Sequence, residues 1–523
     1  MLTDDALREQ AELHATQGEW PQAIAGFETL LARHPGDADI LLQLSYVSSL
    51  AGHYRQAHAH AMAAAEAAPT DADLVQQLIA RLRTFNEVPA LQACLERLKP
   101  LARMPVPLLI AFASQLTNLN EMAAALPLLD EAKRRDPGYP PTLVARGQVL
   151  LYLGRFDEAR ADLLACGRRA PQITRTWGLL AELDRQTAGS NHLIEIRSEL
   201  ARPNRRPEDI AELACALHKT LDDMGEQEAA WSALERACRA RRATLDYRTQ
   251  DSVDLVDALI AMPNAASPAV DTLPPTAAGK LPLFIVGMHR SGTTLLEQLL
   301  DGHSDVRTLG ELYDFTAQMR HATDHHCRGV IDLALVRRSR GANYAAVGRR
   351  YLDGLAWRLG SERFFTDKLP SNFLNIGFIC RALPEARILH LRRDAMEVCF
   401  SNLRELFADA NPYSYDQREL AAFHGQYERL MAHWHALYPG RILDVSYADL
   451  VASPEATLRT VTQFCGLPFE AGMLNLGQRT RGVSTASAVA VRQGIVTRET
   501  PKWLPYADKL RPLAAALAQV RAR

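Results

Sequence analysis

In the first half of the chain, apolar positions recur every three to four residues, and that pattern itself recurs with a longer period. Gly18-Glu19-Trp20-Pro21-Gln22-Ala23 precedes an amphipathic stretch ending near Pro35, and Gly52-His53-Tyr54-Arg55-Gln56-Ala57 precedes another ending at Pro69. Gly18 and Gly52, Trp20 and Tyr54, Ala23 and Ala57, and Pro35 and Pro69 are each 34 positions apart; Asn120, Ala125 and Pro137 repeat as Gly154, Ala159 and Pro171 at the same offset. The pattern predicts amphipathic helices separated by turns. Glycine or asparagine fits such a turn, where a positive φ is cheap only for such residues. The period blurs at 80–105, where Phe85-Asn86-Glu87-Val88-Pro89 interrupts it, and again at 172–205. A last pair is expected from about Ile210 to Arg242, with Gly225 at its turn and Ala229 and Trp231 on its second helix. Pro263 to Lys280 has no periodicity and contains Leu273-Pro274-Pro275, which reads as a linker. From Leu283 onward short apolar runs alternate with helical stretches, which argues for an α/β sheet with its chemistry at the carboxyl ends of the strands. The expected division is a helical domain at 1–250, a linker at 251–280 and an α/β domain at 281–523.

The 34-residue period resembles the tetratricopeptide repeat, which implies helix–turn–helix units with small residues such as alanine where the two helices approach closely. It also implies an all-α superhelix with a concave face suited to extended peptides. Composition adds only limits: 47% apolar and 23% charged residues over 523 positions suit several folded domains. A net charge of −2 predicts no overall attraction to nucleic acid, so any basic site is local. The run Glu235-Arg236-Ala237-Cys238-Arg239-Ala240-Arg241-Arg242 reads as a solvated helix face. Eight cysteines without metal-ligand spacing, an acidic N-terminus and no long apolar run lead to the expectation of a cytoplasmic protein with reduced thiols and no membrane span. Asp324-His325-His326-Cys327 looks like a ligand set, but adjacent residues cannot surround one ion without a long fold-back, so a polar loop is expected.

The chemistry concentrates in Leu283-Phe284-Ile285-Val286-Gly287-Met288-His289-Arg290-Ser291-Gly292-Thr293-Thr294, followed at once by a leucine-rich helical pattern. This resembles the phosphate-binding loop of P-loop nucleotide enzymes, with Thr293 where their lysine stands. Glycine permits close backbone approach to an anion, and the new helix offers unpaired N–H groups. The missing lysine argues against ATP or GTP hydrolysis.

Further along lie Val306-Arg307-Thr308-Leu309-Gly310-Glu311, Phe365-Thr366-Asp367-Lys368-Leu369-Pro370 and Arg387-Ile388-Leu389-His390-Leu391-Arg392-Arg393-Asp394 with Ser401 eight positions after Arg393. Thr485-Ala486-Ser487 and Pro501-Lys502-Trp503 follow near the C-terminus. Over 281–510 this set resembles the sulfotransferases that use 3′-phosphoadenosine 5′-phosphosulfate (PAPS), in particular the tyrosylprotein sulfotransferases and bacterial sulfotransferases with N-terminal tetratricopeptide repeats. The resemblance implies an α/β domain with a central parallel sheet, PAPS as donor, 3′,5′-ADP as product and no metal. It implies that Arg290, Ser291, Gly292, Thr293 and Thr294 hold the 5′-phosphosulfate, and that Arg393 and Ser401 hold the 3′-phosphate. It makes Glu311 the general base and brings Lys368, Ser487 and Lys502 to the donor phosphates or sulfuryl oxygens. A histidine base, as in small-molecule sulfotransferases, would fall to His303. Arg392 is expected at the solvent or the sheet edge beside Arg393. The acceptor implied is a peptide tyrosine presented by the repeats, with a sugar, lipid or small phenol open beside it. Glycine at Gly494, where the family often has proline, leaves the conformation of that loop open. The rival readings are a non-catalytic repeat scaffold and a kinase-like P-loop enzyme.

Overall fold

The computed structural model describes residues 2–263, 279–407, 411–476, 482, 489, 492, 494–495 and 500–521. The chain forms two compact units: residues 1–136 with 313–357, and 137–312 with 358–523.

The first unit is built of antiparallel helix pairs. Asp4–Thr16 pairs with Trp20–Arg33, Ala38–Leu50 with Tyr54–Glu66, Ala72–Phe85 with Val88–Arg97, and Val106–Asn118 with Met122–Arg135. The turns are those the repeat predicts. Gly18, Gly52 and Asn120 all have left-handed φ, between 63° and 83°. Ala23, Ala57 and Ala125 are fully buried where paired helices touch. The interruption at 85–89 turns out to be another such turn. Asn86 takes φ 63° as a left-handed cap, and Pro89 sits in the first turn of the next helix, where its missing N–H costs nothing. The period is lost there because Val88–Arg97 is short and a further helical turn, Leu101–Arg103, follows it. The segment 313–357 joins this unit through the helices Asp314–Thr323, Leu333–Arg338 and Tyr344–Leu355. Its polar cluster scatters its donors. Asp324 accepts from the Arg55 amide at 2.8 Å, His325 bonds Asp332 at 2.8 Å, His326 lies against Tyr54 and Cys327 is buried beside Arg320.

The second unit continues the helical pairs and adds the sheet. Pro140–Leu153 and Phe156–Arg169 turn at Gly154, and Pro207–Asp223 and Gln227–Arg242 turn at Gly225; the alanines five residues on, Ala159 and Ala230, are fully buried. Ala230, rather than Ala229, thus occupies the close-approach position. The blurred stretch at 172–205 holds Arg175–Leu183 and Leu193–Leu200, separated by a longer connection bridged at Thr187 and Ser190. A helix, Thr249–Ile260, occupies much of what the sequence reading gave to the linker; it buries Ser252, Val256 and Leu259 at helical spacing. Of the rest of that linker, 264–278 lies outside the described residues. The basic run at 235–242 is not wholly solvated: Arg242 pairs with Glu419 through two bonds of 2.8 and 2.9 Å.

Five parallel strands form one sheet in the order β2-β3-β1-β4-β5: β1 Leu281–Gly287, β2 Val306–Arg307, β3 Phe364–Asp367, β4 Arg387–Arg392 and β5 Ile442–Ser446. β1 is central. The chain runs from it to one side of the sheet and later crosses to the other, so its carboxyl end is a topological switch point, where α/β sheets bind ligands. The helix Thr293–Leu300 that follows β1 is buried along its whole length.

His218, buried in the helix Pro207–Asp223, bonds the Ala230 carbonyl through Nδ1 at 2.8 Å and accepts from Arg404 Nε at Nε2, 2.9 Å. Arg404 also pairs with Asp222, which accepts from the Tyr506 hydroxyl at 2.6 Å. Burial, reinforced by the Arg404 charge, pushes the His218 imidazole well below its ordinary value. The unfolded chain therefore binds this proton at a higher pH than the folded one. The stability His218 contributes is complete above the unfolded value of about 6.5 and is lost as pH falls below it. Unfolding followed across this acid range should show stability falling with pH, and His218→Asn should shrink that slope by up to about 1.4 kcal/mol per pH unit, one proton's worth. An unchanged slope would remove His218 from this role.

Candidate functional site

The predicted loop is a strained turn between β1 and its helix. Gly287 has φ 153° and Gly292 φ 111°, and Arg290, which has a side chain, sits at φ 68°. A Cβ on Gly292 would lie 2.3 Å from the Tyr447 ring, and one on Gly287 would lie 2.7 Å from the Leu391 carbonyl oxygen. Both glycines are therefore required by close packing as well as by backbone angle. A left-handed non-glycine costs about 1–2 kcal/mol, the kind of strain that surrounding contacts sustain at functional loops. Here Arg393 Nη1 donates to the Arg290 carbonyl at 3.2 Å, and Asn402 donates to that of His289 at 2.7 Å. Thr293 and Thr294 open the helix and are buried. The Ser291 hydroxyl is 1% exposed and has no hydrogen-bond partner among the described residues.

The structure gathers the residues expected at the two phosphates. Arg290 Nε donates to Ser401 Oγ at 3.3 Å and faces Glu405 at 3.7 Å. Arg393, just past β4, pairs with Glu397 at 2.9 Å and lies 4.2 Å above the Tyr447 ring. Arg392 points away, exposed, toward Asp444 at 3.2 Å.

Glu311 and Lys368 form a second group. Lys368 Nζ, with a side chain 1% exposed, is 2.8 Å from Glu311 Oε1, which is partly exposed. The pair is held from below by Glu297, on the helix that follows the loop. Its buried carboxylate accepts from the Gly310 amide at 2.9 Å and from Thr366 Oγ1 at 2.8 Å, and Lys368 N donates to the Gly310 carbonyl at 3.0 Å. His289 lies within the electrostatic reach of Glu311, Lys368 and Arg290 alike. Burial pushes its imidazole down to about 4; Glu311 opposes the shift, while Lys368 and Arg290 add to it. It is a neutral group at this site that the sequence reading did not single out. Its place inside the loop motif was the available signal.

His303 is not a free base. Nε2 bonds the Pro468 carbonyl at 2.9 Å and Nδ1 accepts from the Asp305 amide at 3.0 Å, so both nitrogens hold the loop. Lys502 is solvent-exposed, and its charge acts on Asp222 of the Arg404 network. Ser487 lies outside the described residues. Beside Arg393 opens a cavity of about 700 Å³, whose walls include His390, His435, Asp444 and Tyr447.

Residues 282–471 match the sulfotransferase family, and residues 14–82 match the tetratricopeptide repeat. An uncharacterized protein of Aquifex aeolicus (strain VF5) is 29% identical over 421 residues, covering 77% of this chain and 54% of the relative, so the chain spans about half of that protein's length. A Caenorhabditis briggsae protein named "Putative protein-tyrosine sulfotransferase" is 28% identical over 197 residues, covering 37% of this chain and 68% of the relative. Among solved structures, the sulfotransferase domain from the curacin biosynthetic pathway aligns with a TM-score of 0.28 at 18% identity, covering 46% of this chain and 98% of that one.

Gly292→Ala should destabilise the protein by about 2 kcal/mol or more, from the positive φ together with displacement of Tyr447. Chemical denaturation of the variant checks this, and an unchanged midpoint would contradict the loop geometry.

Proposed function

We propose that this chain, which carries a sulfotransferase-family domain at residues 282–471 behind tetratricopeptide repeats, transfers a sulfuryl group from PAPS to a hydroxyl acceptor, a tyrosine of a peptide or protein. The observation that carries the reading is the convergence of Arg290, Arg393 and Ser401 on a lysine-free phosphate loop whose buried Ser291 hydroxyl has no partner among the described residues. The residues fit the donor. The buried Ser291 hydroxyl suits an anion's oxygen, and two guanidiniums, one in the loop and one donating to it, suit a ligand phosphorylated at two positions.

The donor supplies the sulfuryl group. Arg290, the loop amides and the Thr293 and Thr294 hydroxyls would receive the charge that builds on the 5′-phosphate, and no magnesium is called for. Arg393 and Ser401 would hold the 3′-phosphate and so tell this donor from ADP-like nucleotides. Glu311 would take the proton of the acceptor hydroxyl as the new S–O bond forms. The S–O bond to the 5′-phosphate breaks, and its electron pair stays on the phosphate oxygen. Lys368, held against Glu311, would orient it and face the sulfuryl oxygens. A tyrosine acceptor is supported by the name of the Caenorhabditis briggsae relative and by the repeats, whose family holds extended peptides.

Arg290→Ala and Arg393→Ala should each weaken 3′,5′-ADP binding at least about tenfold, the lower bound for losing a hydrogen bond to a charged group. Undiminished affinity by calorimetry in either variant would overturn the donor assignment. Glu311→Gln keeps an oxygen for Lys368 while removing the basic site. It should lower kcat by about 100-fold or more with 3′,5′-ADP binding retained. The assay is transfer of labelled sulfate from PAPS to peptides identified by mass spectrometry. Normal turnover of the glutamine variant would assign the base elsewhere.

A further inference from the structure

We propose that His390, His435 and Asp444 form a binding site for a divalent transition-metal ion, separate from the groups assigned to sulfuryl transfer. Three elements supply the donors. His390 is on β4, Asp444 is its register partner on the adjacent β5, and His435 is on the helix Gln417–Leu437. His390 Nδ1 and His435 Nε2 both point at one carboxylate oxygen, Asp444 Oδ1, at 2.7 and 2.8 Å, and all three donor atoms lie within 4.8 Å of one another. Two imidazole nitrogens and a carboxylate oxygen are the donor set of zinc and related borderline cations. Metal–ligand bonds of about 2.0–2.1 Å in a tetrahedral arrangement need each nitrogen to part from the carboxylate oxygen by about half an ångström.

The far side of His390 is held as well: its Nε2 hydrogen-bonds the Tyr427 hydroxyl. That contact fixes the ring with Nδ1 directed at Asp444 Oδ1, and a hydrogen bond on the far nitrogen is the outer-shell pattern that orients a metal-bound histidine.

The site is both anchored and open. The His390 side chain is 4% exposed, whereas those of His435 and Asp444 are 36% and 37% exposed. They face the cavity of about 700 Å³ and leave coordination positions there for water or an anion's oxygen. Arg392 engages the other oxygen, Asp444 Oδ2, so the inner oxygen stays available to a cation. Glu428, Asp449, Asp394 and Glu397 on the cavity wall offset the added charge.

The test uses the full chain stripped with a chelator and titrated with Zn²⁺ by calorimetry, alongside Co²⁺ absorption spectra. One equivalent should bind, and Co²⁺ should give ligand-field bands without a thiolate charge-transfer band. Binding should weaken at least tenfold in His435→Gln and in Asp444→Asn. Both positions are on the open side, and circular dichroism of the metal-free variants reports that they fold. No Zn²⁺ uptake by the wild type, equal uptake by both variants or a thiolate band would each overturn the site. None of these readouts depends on the transfer reaction.

Discussion

The buried carboxylate of Glu297 ties the candidate site together. It sits in the helix that follows the phosphate loop and binds the amide of Gly310 and the hydroxyl of Thr366, which in turn accepts from the Leu309 amide at 3.1 Å. One side chain thereby sets the heights of the segments after β2 and β3 against the loop after β1. A buried charge persists only when its hydrogen-bonding capacity is met, so this arrangement tolerates little displacement of any partner. Glu311 lies one residue beyond Gly310 and Lys368 two beyond Thr366, and their 2.8 Å pairing follows from this anchoring.

The topology does the rest. All five strands run parallel, so Gly287, Asp367, Arg392 and Ser446 end at the same edge of the sheet, and the residues just beyond them meet there. β1 lies at the switch point, which gives its loop free space on the carboxyl side. Tyr447, the residue after β5, packs against Gly292 and under Arg393, so two loops and a cation share one aromatic face. Removing the Cβ at residue 292 is what makes that sharing sterically possible.

The features legible in the sequence were the local ones. Repeat turns could be read because a left-handed residue followed five positions later by a buried alanine is a constraint within a few residues. The break at Phe85–Pro89 was misread because asparagine can replace glycine in that constraint and proline is harmless in a first helical turn. The helix Thr249–Ile260 was passed over although Ser252, Val256 and Leu259 keep helical spacing, because the boundary was drawn ahead of the proline-rich stretch that follows. Arg290, Arg393, Ser401, Glu311 and Lys368 could be named because each belongs to a short motif at a strand end. Their partners Glu405, Tyr447 and Glu297 could not be, since pairing between segments distant in the chain leaves no mark in spacing; only Glu397, four residues after Arg393, is a local partner. The same holds for His390, His435 and Asp444, which only the β4–β5 register and a neighbouring helix bring together.

The charge pattern bears on how an anion would be recognised. Each site cation already has a carboxylate near it: Glu405 for Arg290 at 3.7 Å, Glu397 for Arg393 at 2.9 Å and Glu311 for Lys368 at 2.8 Å. With these pairs in place the site projects little net field, in keeping with a chain whose formal charge is only −2. Attraction over a distance is therefore weak, and selection falls to short-range geometry. Under the proposed function, a ligand would present oxygens where the arginines can turn from carboxylate to phosphate and where the Ser291 hydroxyl has no partner among the described residues. On that proposal, a nucleotide with phosphate at one end alone would leave one arginine with its carboxylate, and engagement of both guanidiniums would favour a doubly phosphorylated ligand over a singly phosphorylated one.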